Sequence, residues 1–208
     1  MELYKIILLL IFSYLLGSIP SSYWIGKIFF NVDVRNHGSK SSGATNTMRI
    51  LGAKVAFPVL LIDILKGFLA TKLTILLPNI APDIVMHYKI FFGLAAITGH
   101  IFPVFANFRG GKGIATITGI IIGIIPELIP FALGLFIIIV SFTKIVSMGS
   151  ILTSLSVPFI IYFILQRNDI YLLGFSLIIF LIVIITHREN LKRIFAGKET
   201  TISFRKNN

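Results

Sequence analysis

Cysteine is absent from the 208 residues, which excludes disulfide staples and thiolate metal sites. Charge is scarce at 13% of residues, and acid is scarcest, with 8 Asp and Glu against 19 Lys and Arg. Histidine occurs only at His37, His87, His100 and His187, in no HxxxH or HExxH spacing, so no metal or other cofactor is expected. Linkers, low-complexity stretches and internal repeats are lacking as well. Nothing divides the chain, and residues 1–208 read as a single domain.

What is present is apolar: 56% of residues, the balance of an integral membrane protein. The formal charge of +11 would suggest nucleic acid in a soluble protein. Here the basic residues sit between and after apolar runs, so topology and anionic lipid headgroups account for them and no nucleic-acid partner is expected. A cleaved leader is not expected either, because Ile6–Leu16 is followed by "GSIPSSYWIGKIFF", which has no small-x-small site.

Apolar runs between polar breaks predict an all-α, polytopic protein with spans near 4–29, 54–77, 86–106, 113–126, 127–143, 149–166 and 170–186. The fourth and fifth are short and separated only by "IPELIP", whose prolines end one helix and start another. A five-span alternative, in which the fourth and fifth are merged or half-buried so that neither crosses by itself, has the same ends. Lys27, Arg35, Lys40, Arg49, Lys54, Arg109, Lys112, Lys144 and the tail from Arg188 to Lys206 fall on one side. Only Lys5, Lys72, Lys89 and Arg167 fall on the other. The positive-inside bias then puts the N-terminus outside, the C-terminus in the cytoplasm and the polar segments of interest on one face.

Three such segments stand out. "DVRNHGSKSSGATNTMRILG", Asp33–Gly52, gathers hydroxyls, amides and glycines between Arg35 and Arg49, a set suited to an anion with several oxygens; alone it reads equally well as a solvated loop. "GHIFPVFANFRGGKGIAT" looks like a nucleotide loop but fails that pattern, since Ala106 stands where the first glycine belongs and Gly113 where a hydroxyl belongs. What survives is a backbone that a ligand can approach, the charge of Lys112 and a helix expected to begin at Ile114. "THRENLKRIFAGKET", Thr186–Thr200, begins with His187 and Asn190 at i and i+3, one helix face, and continues as a basic amphipathic tail suited to a lipid surface.

Inside the spans, "GSIPSS" suggests close packing and a kink. Asp63 and Lys66 in "DILKG" are spaced to pair, a structural ion pair being favoured over catalysis. Ser147 and Ser150 in "VSMGS" share a helix face at the start of the sixth span.

Taken together, "GSIPSSYWIGK", "HGSKSSGATNTMRILG", "DILKG", "GHIFPVFANFRGGKGIAT", "VSMGS" and "HREN", in that order along nearly the whole chain, resemble the bacterial membrane glycerol-3-phosphate acyltransferases that use acyl phosphate, the PlsY-type family. One departure is visible: where that family reads HGSGNxGATN, this chain has Lys40 for a glycine and Ser41 for an asparagine. The resemblance implies seven membrane helices, a cytoplasmic active site in the bacterial plasma membrane, and acyl transfer from acyl phosphate to glycerol 3-phosphate. It also implies a functional link with the enzyme that makes acyl phosphate.

On this reading Ser39, Arg49, Lys112, His187 and Asn190 are the catalytic candidates. Thr45, Asn46, Gly110, Gly111, Gly113, Ser147 and Ser150 are candidates for binding phosphate or substrate. Arg suits bidentate oxygen recognition and Lys adds a point charge. Acyl phosphate is already activated, no serine triad is recognisable, and either the leaving phosphate or His187 can take the proton. The rival reading is a small anion transporter, with the same cations lining its mouth; its site is expected near the midplane rather than on one face.

Overall fold

The computed structural model of the chain describes residues 3–77 and 81–202, with Pro82 and Asp83 described by backbone alone. Arg205 and Lys206 of the basic tail lie outside the described residues. The described residues form helices and no strand. These are α1 (Leu3–Gly17), α2 (Ser21–Phe30), α3 (Ala44–Leu51), α4 (Ala53–Lys72), α5 (Pro82–Ile101), α6 (Ile114–Ile124), α7 (Ile129–Thr143), α8 (Val146–Phe159), α9 (Ile170–Thr186) and α10 (Arg188–Phe195). They fall into two compact units, Met1–Pro126 with α1–α6 and Glu127–Asn208 with α7–α10.

In the first unit, α1 packs on α5 and α4 on α6. Small residues permit both contacts: a Cβ at Gly17 would overlap the Ala96 backbone, and one at Gly67 the Thr116 carbonyl. The expected first span is two helices bent by 42°, broken at Ser18–Pro20 where "GSIP" suggests a kink. In the second unit, α7 packs on α8, α8 on α9, and α9 on α10. α8 begins at Val146 and ends in a π-helical turn, Ile160–Ile164, just after Pro158. Thus Ser147 and Ser150 lie in its first turns.

Large apolar side chains such as Phe12, Phe57, Phe91, Phe142 and Ile185 are exposed, while Ser21, Asp63, Lys66 and His100 are buried. That inversion of the soluble pattern suits a lipid surround. By length and apolarity, Ile84–Ala106, Pro126–Thr143 and Val146–Ile164 can each cross a membrane among the described residues. The bent pairs α1 with α2 and α9 with α10 raise the number to five, against the seven expected. Two expected spans explain the difference. α4 is 20 residues long but carries Lys54, Asp63, Lys66 and Lys72. α6 has 11 residues, roughly 16 Å at the helical rise, against a hydrocarbon core of about 30 Å.

Candidate functional site

The polar segment before α4 is not a plain loop. Asp33 folds it back: its Oδ1 accepts from the Arg35 N–H at 3.0 Å and from Nε at 2.9 Å, and its Oδ2 accepts from Nη2 at 2.8 Å. Arg35 also donates through Nη1 to the Ala106 carbonyl at 2.8 Å and lies 3.9 Å over the Tyr23 ring. Hydrogen bonding from Arg35 holds the Asp33 carboxyl below its usual range, and the bonds to Asp33 raise the Arg35 guanidinium. Arg35 was a candidate flank of the anion site; it is instead a buried clamp between this segment and the one ending at Ala106.

Asn46 occupies the centre of the segment. Its Oδ1 accepts from the Ser39 N–H at 2.9 Å, and its Nδ2 donates to the carbonyls of Val34 at 2.8 Å, Ser41 at 3.0 Å and His37 at 3.2 Å. The residue is 2% exposed. Asn46, a candidate for binding phosphate, has its amide engaged by backbone and shapes the loop that carries Ser39. Ser39, Thr45 and Arg49 are half-buried, the last two on α3, an unexpected helix led in by Gly43. Lys40 is exposed at φ 57°, the left-handed region that suits the glycine expected there.

The glycine segment is tied to the same unit. Gly111 donates its N–H to the His100 carbonyl at 3.1 Å, and Gly110 accepts through its carbonyl from the Ser42 N–H at 3.3 Å. Ser42 is itself linked to Ser22, their hydroxyls 2.6 Å apart. α6 starts at Ile114 as expected, with Gly113 at φ 85° accepting the first helical hydrogen bond from Ile117 at 2.7 Å. The Gly111 N–H, within the segment expected to bind phosphate, is thus turned toward the fold. Lys112 stands half-buried directly before that helix start. Beneath the segment, Asp63 and Lys66 form the expected ion pair at 2.9 Å. They line a small pocket with Ser21, Ser42, His100 and Gly110.

In the second unit, His187 closes α9 and Asn190 opens α10, each 3% exposed. His187 Nδ1 lies 2.9 Å from the Val183 carbonyl oxygen, so in the neutral imidazole Nδ1 is the protonated nitrogen and donates to it. Sequence reasoning missed Glu199. Its Oε1 accepts from Asn190 Nδ2 and from Ser147 Oγ, at 2.6 and 3.0 Å, and its Oε2 from Arg193 Nε at 2.7 Å. Burial acts to raise its carboxyl, yet the bonds from Asn190, Arg193 and Ser147 outweigh it and hold the group below its ordinary value. The available signal was that Glu199 is the one acid after Glu189 in a basic tail. Ser150, by contrast, donates to the Val146 carbonyl of its own helix at 3.2 Å.

Comparison with known proteins gives a consistent picture. The family profile described as glycerol-3-phosphate acyltransferase matches residues 7–197. A glycerol-3-phosphate acyltransferase of Enterococcus faecalis is 41% identical, with 96% of this chain and 93% of that protein covered. One of Macrococcus caseolyticus is 43% identical, covering 97% of this chain and all of the other at 100%. The crystal structure of PlsY (YgiH), an integral membrane glycerol 3-phosphate acyltransferase, in its glycerol 3-phosphate form superposes with a TM-score of 0.85 at 34% identity, over 95% of this chain and 96% of that one. Its lysophosphatidic acid form gives 0.82 at 33%, covering 95% of each.

Proposed function

The chain belongs to the glycerol-3-phosphate acyltransferase family, and from that premise we propose that it uses acyl phosphate as donor. It transfers the fatty acyl group to glycerol 3-phosphate, giving lysophosphatidic acid and phosphate as the first committed step of phospholipid synthesis. The observation that carries this reading is the sequence Gly110–Gly113 set at the N-terminus of α6, with Lys112 beside it and the apolar turns of α6 directly beyond. A helix start and a cation attract phosphate, and apolar helices accommodate an acyl tail.

In the proposed reaction Arg49 and Lys112 bind phosphate oxygens, with Ser39 and Thr45 as hydroxyl partners and Gly110 and Gly113 admitting the ligand close to the backbone. A glycerol hydroxyl attacks the acyl carbonyl, the bond from carbonyl carbon to phosphate oxygen breaks, and phosphate leaves. Donors aligned with developing charge, rather than a covalent intermediate, lower the barrier. The proton passes to the leaving phosphate or to Nε2 of His187, whose tautomer suits the second route. Asn190 and Ser147, both held by Glu199, are assigned to substrate. Ser150 is assigned to substrate as well, its hydroxyl turning from Val146 when ligand binds.

The whole chain, residues 1–208, is proposed to act as one acyltransferase with seven helices in the bacterial plasma membrane. Its N-terminus is outside and its C-terminus and site are cytoplasmic, and it is supplied by the enzyme that makes acyl phosphate. Offering purified protein palmitoyl phosphate, palmitoyl-CoA and palmitoyl-acyl carrier protein in parallel tests the donor. Product from palmitoyl phosphate alone is expected; equal product from the thioesters would overturn that choice.

A further inference from the structure

The glycine segment has a polar floor. His100, at the last turn of α5, is 6% exposed. Its Nδ1 lies 3.2 Å from Thr116 Oγ1, in the first turn of α6, and 3.7 Å from Asp63 Oδ1. The other edge of the ring faces the glycines, where a Cβ on Gly111 would overlap His100 Nε2 and the Ser42 carbonyl oxygen. The His100 carbonyl holds the Gly111 N–H from the same side. Asp63 is fixed in turn by Lys66 at 2.9 Å and by the Ser21 hydroxyl at 2.8 Å. Lys66 is anchored by the Ile19 carbonyl at 2.9 Å, in the break between α1 and α2.

Burying a carboxylate, an ammonium and an imidazole together is costly, and α4 and α5 would pack more favourably with apolar residues of the same volume. An arrangement retained against that cost, and aimed at one short backbone segment, acts on that segment. We propose that His100 is a positioning residue that sets the height and tilt of Gly110–Lys112, and that Asp63 with Lys66 fixes the ring in that role. The inference rests on the reading of this segment as the phosphate cradle. The ring touches no substrate. It works by keeping Gly111 from settling inward, so that Lys112 and the start of α6 present one geometry to the ligand. Small displacements of such a cradle cost one to two powers of ten.

The test measures kcat and KM for glycerol 3-phosphate and for palmitoyl phosphate in the full-length protein, with thermal unfolding in detergent as the folding control. His100→Ala is expected to raise KM for one phosphate substrate on the order of tenfold or more. His100→Gln, whose longer amide reaches the Nε2 position beneath Gly111, is expected to recover most of that loss. His100→Asn, which reaches only the Nδ1 position near Thr116, is expected to recover little. Asp63→Asn should repeat the KM effect weakly in the wild-type background and add nothing to His100→Ala. The proposal is overturned if unfolding temperature falls in every variant while KM stays unchanged in the folded fraction, or if Asn rescues as well as Gln. Lys112→Ala in the same series separates the two levels. Normal KM values and turnover in Lys112→Ala would refute the cradle itself, whereas a severe Lys112→Ala defect with a silent His100→Ala would refute only the positioning role.

Discussion

Removing the Asn46 side chain isolates what the amide does for the polar segment. Four hydrogen bonds converge on it, from one N–H and to three carbonyls spread over residues 34 to 41. Nδ2 has two N–H groups to share among the three carbonyls, so at about 1 kcal/mol net for each full bond the loss in Asn46→Ala is at most about 3 kcal/mol. The Val34 and His37 carbonyls keep the N–H groups of His37 at 3.3 Å and Lys40 at 3.0 Å, and water can reach the half-buried Ser39 and Ser41, so part of that set stays satisfied. A loss of about 2 kcal/mol follows. Asn46→Asp sharpens the argument, because a carboxylate keeps the acceptor for Ser39 but faces three carbonyl oxygens with no donor. It should be less stable than the alanine variant near neutral pH. It should recover partly on acidification, as the carboxyl gains a proton it can donate. Thermal unfolding in detergent, followed alongside KM for glycerol 3-phosphate, measures both. Wild-type stability in both variants with a large rise in KM would refute the loop-anchor assignment and return Asn46 to the ligands.

Lys112→Ala and Arg49→Ala should each reduce acyl transfer by at least a hundredfold while leaving the unfolding temperature within a few degrees, checked by initial rates on folded protein. Lys40→Gly should stabilise by about 0.5–1 kcal/mol, since relief of a left-handed φ outweighs the added freedom of the unfolded chain; a destabilised variant would contradict the assigned backbone. Glu199 has a folded carboxyl below its ordinary value, so its contribution is present above the usual carboxylate range and is lost as pH falls through the folded value. Glu199→Gln should therefore be less stable than wild type at neutral pH, with the gap closing in acid. If His187 takes the proton, His187→Ala should abolish the fall in rate on the acid side of the pH profile, because a base must be neutral to act. An unchanged profile assigns the proton to the leaving phosphate.

Apolar runs marked the long helices, and α9 coincides with the expected 170–186. Proline and glycine marked the break before α2 and the start of α6. α3 was not legible, because a short helix among Thr, Asn and Arg lacks the apolar periodicity that signals one. At the site, residue types pointed to anion chemistry without saying which polar groups face a ligand and which face the fold. Arg35, Asn46 and the Gly111 N–H look like ligands by chemistry and are tied to backbone or acid partners by distant pairing. Glu199 was hidden for the converse reason: one of its partners lies 52 positions away, and its standing as the one acid after Glu189 in a basic tail is a weak local mark.

The central claim is acyl transfer from acyl phosphate to glycerol 3-phosphate, and the most direct measurement supplies purified protein with palmitoyl phosphate and radiolabelled glycerol 3-phosphate. Labelled lysophosphatidic acid is expected to appear together with an equal amount of inorganic phosphate, without acyl-CoA or carrier protein present. No labelled lipid, combined with uptake of phosphate by liposomes containing the protein, would contradict the account and favour an anion transporter.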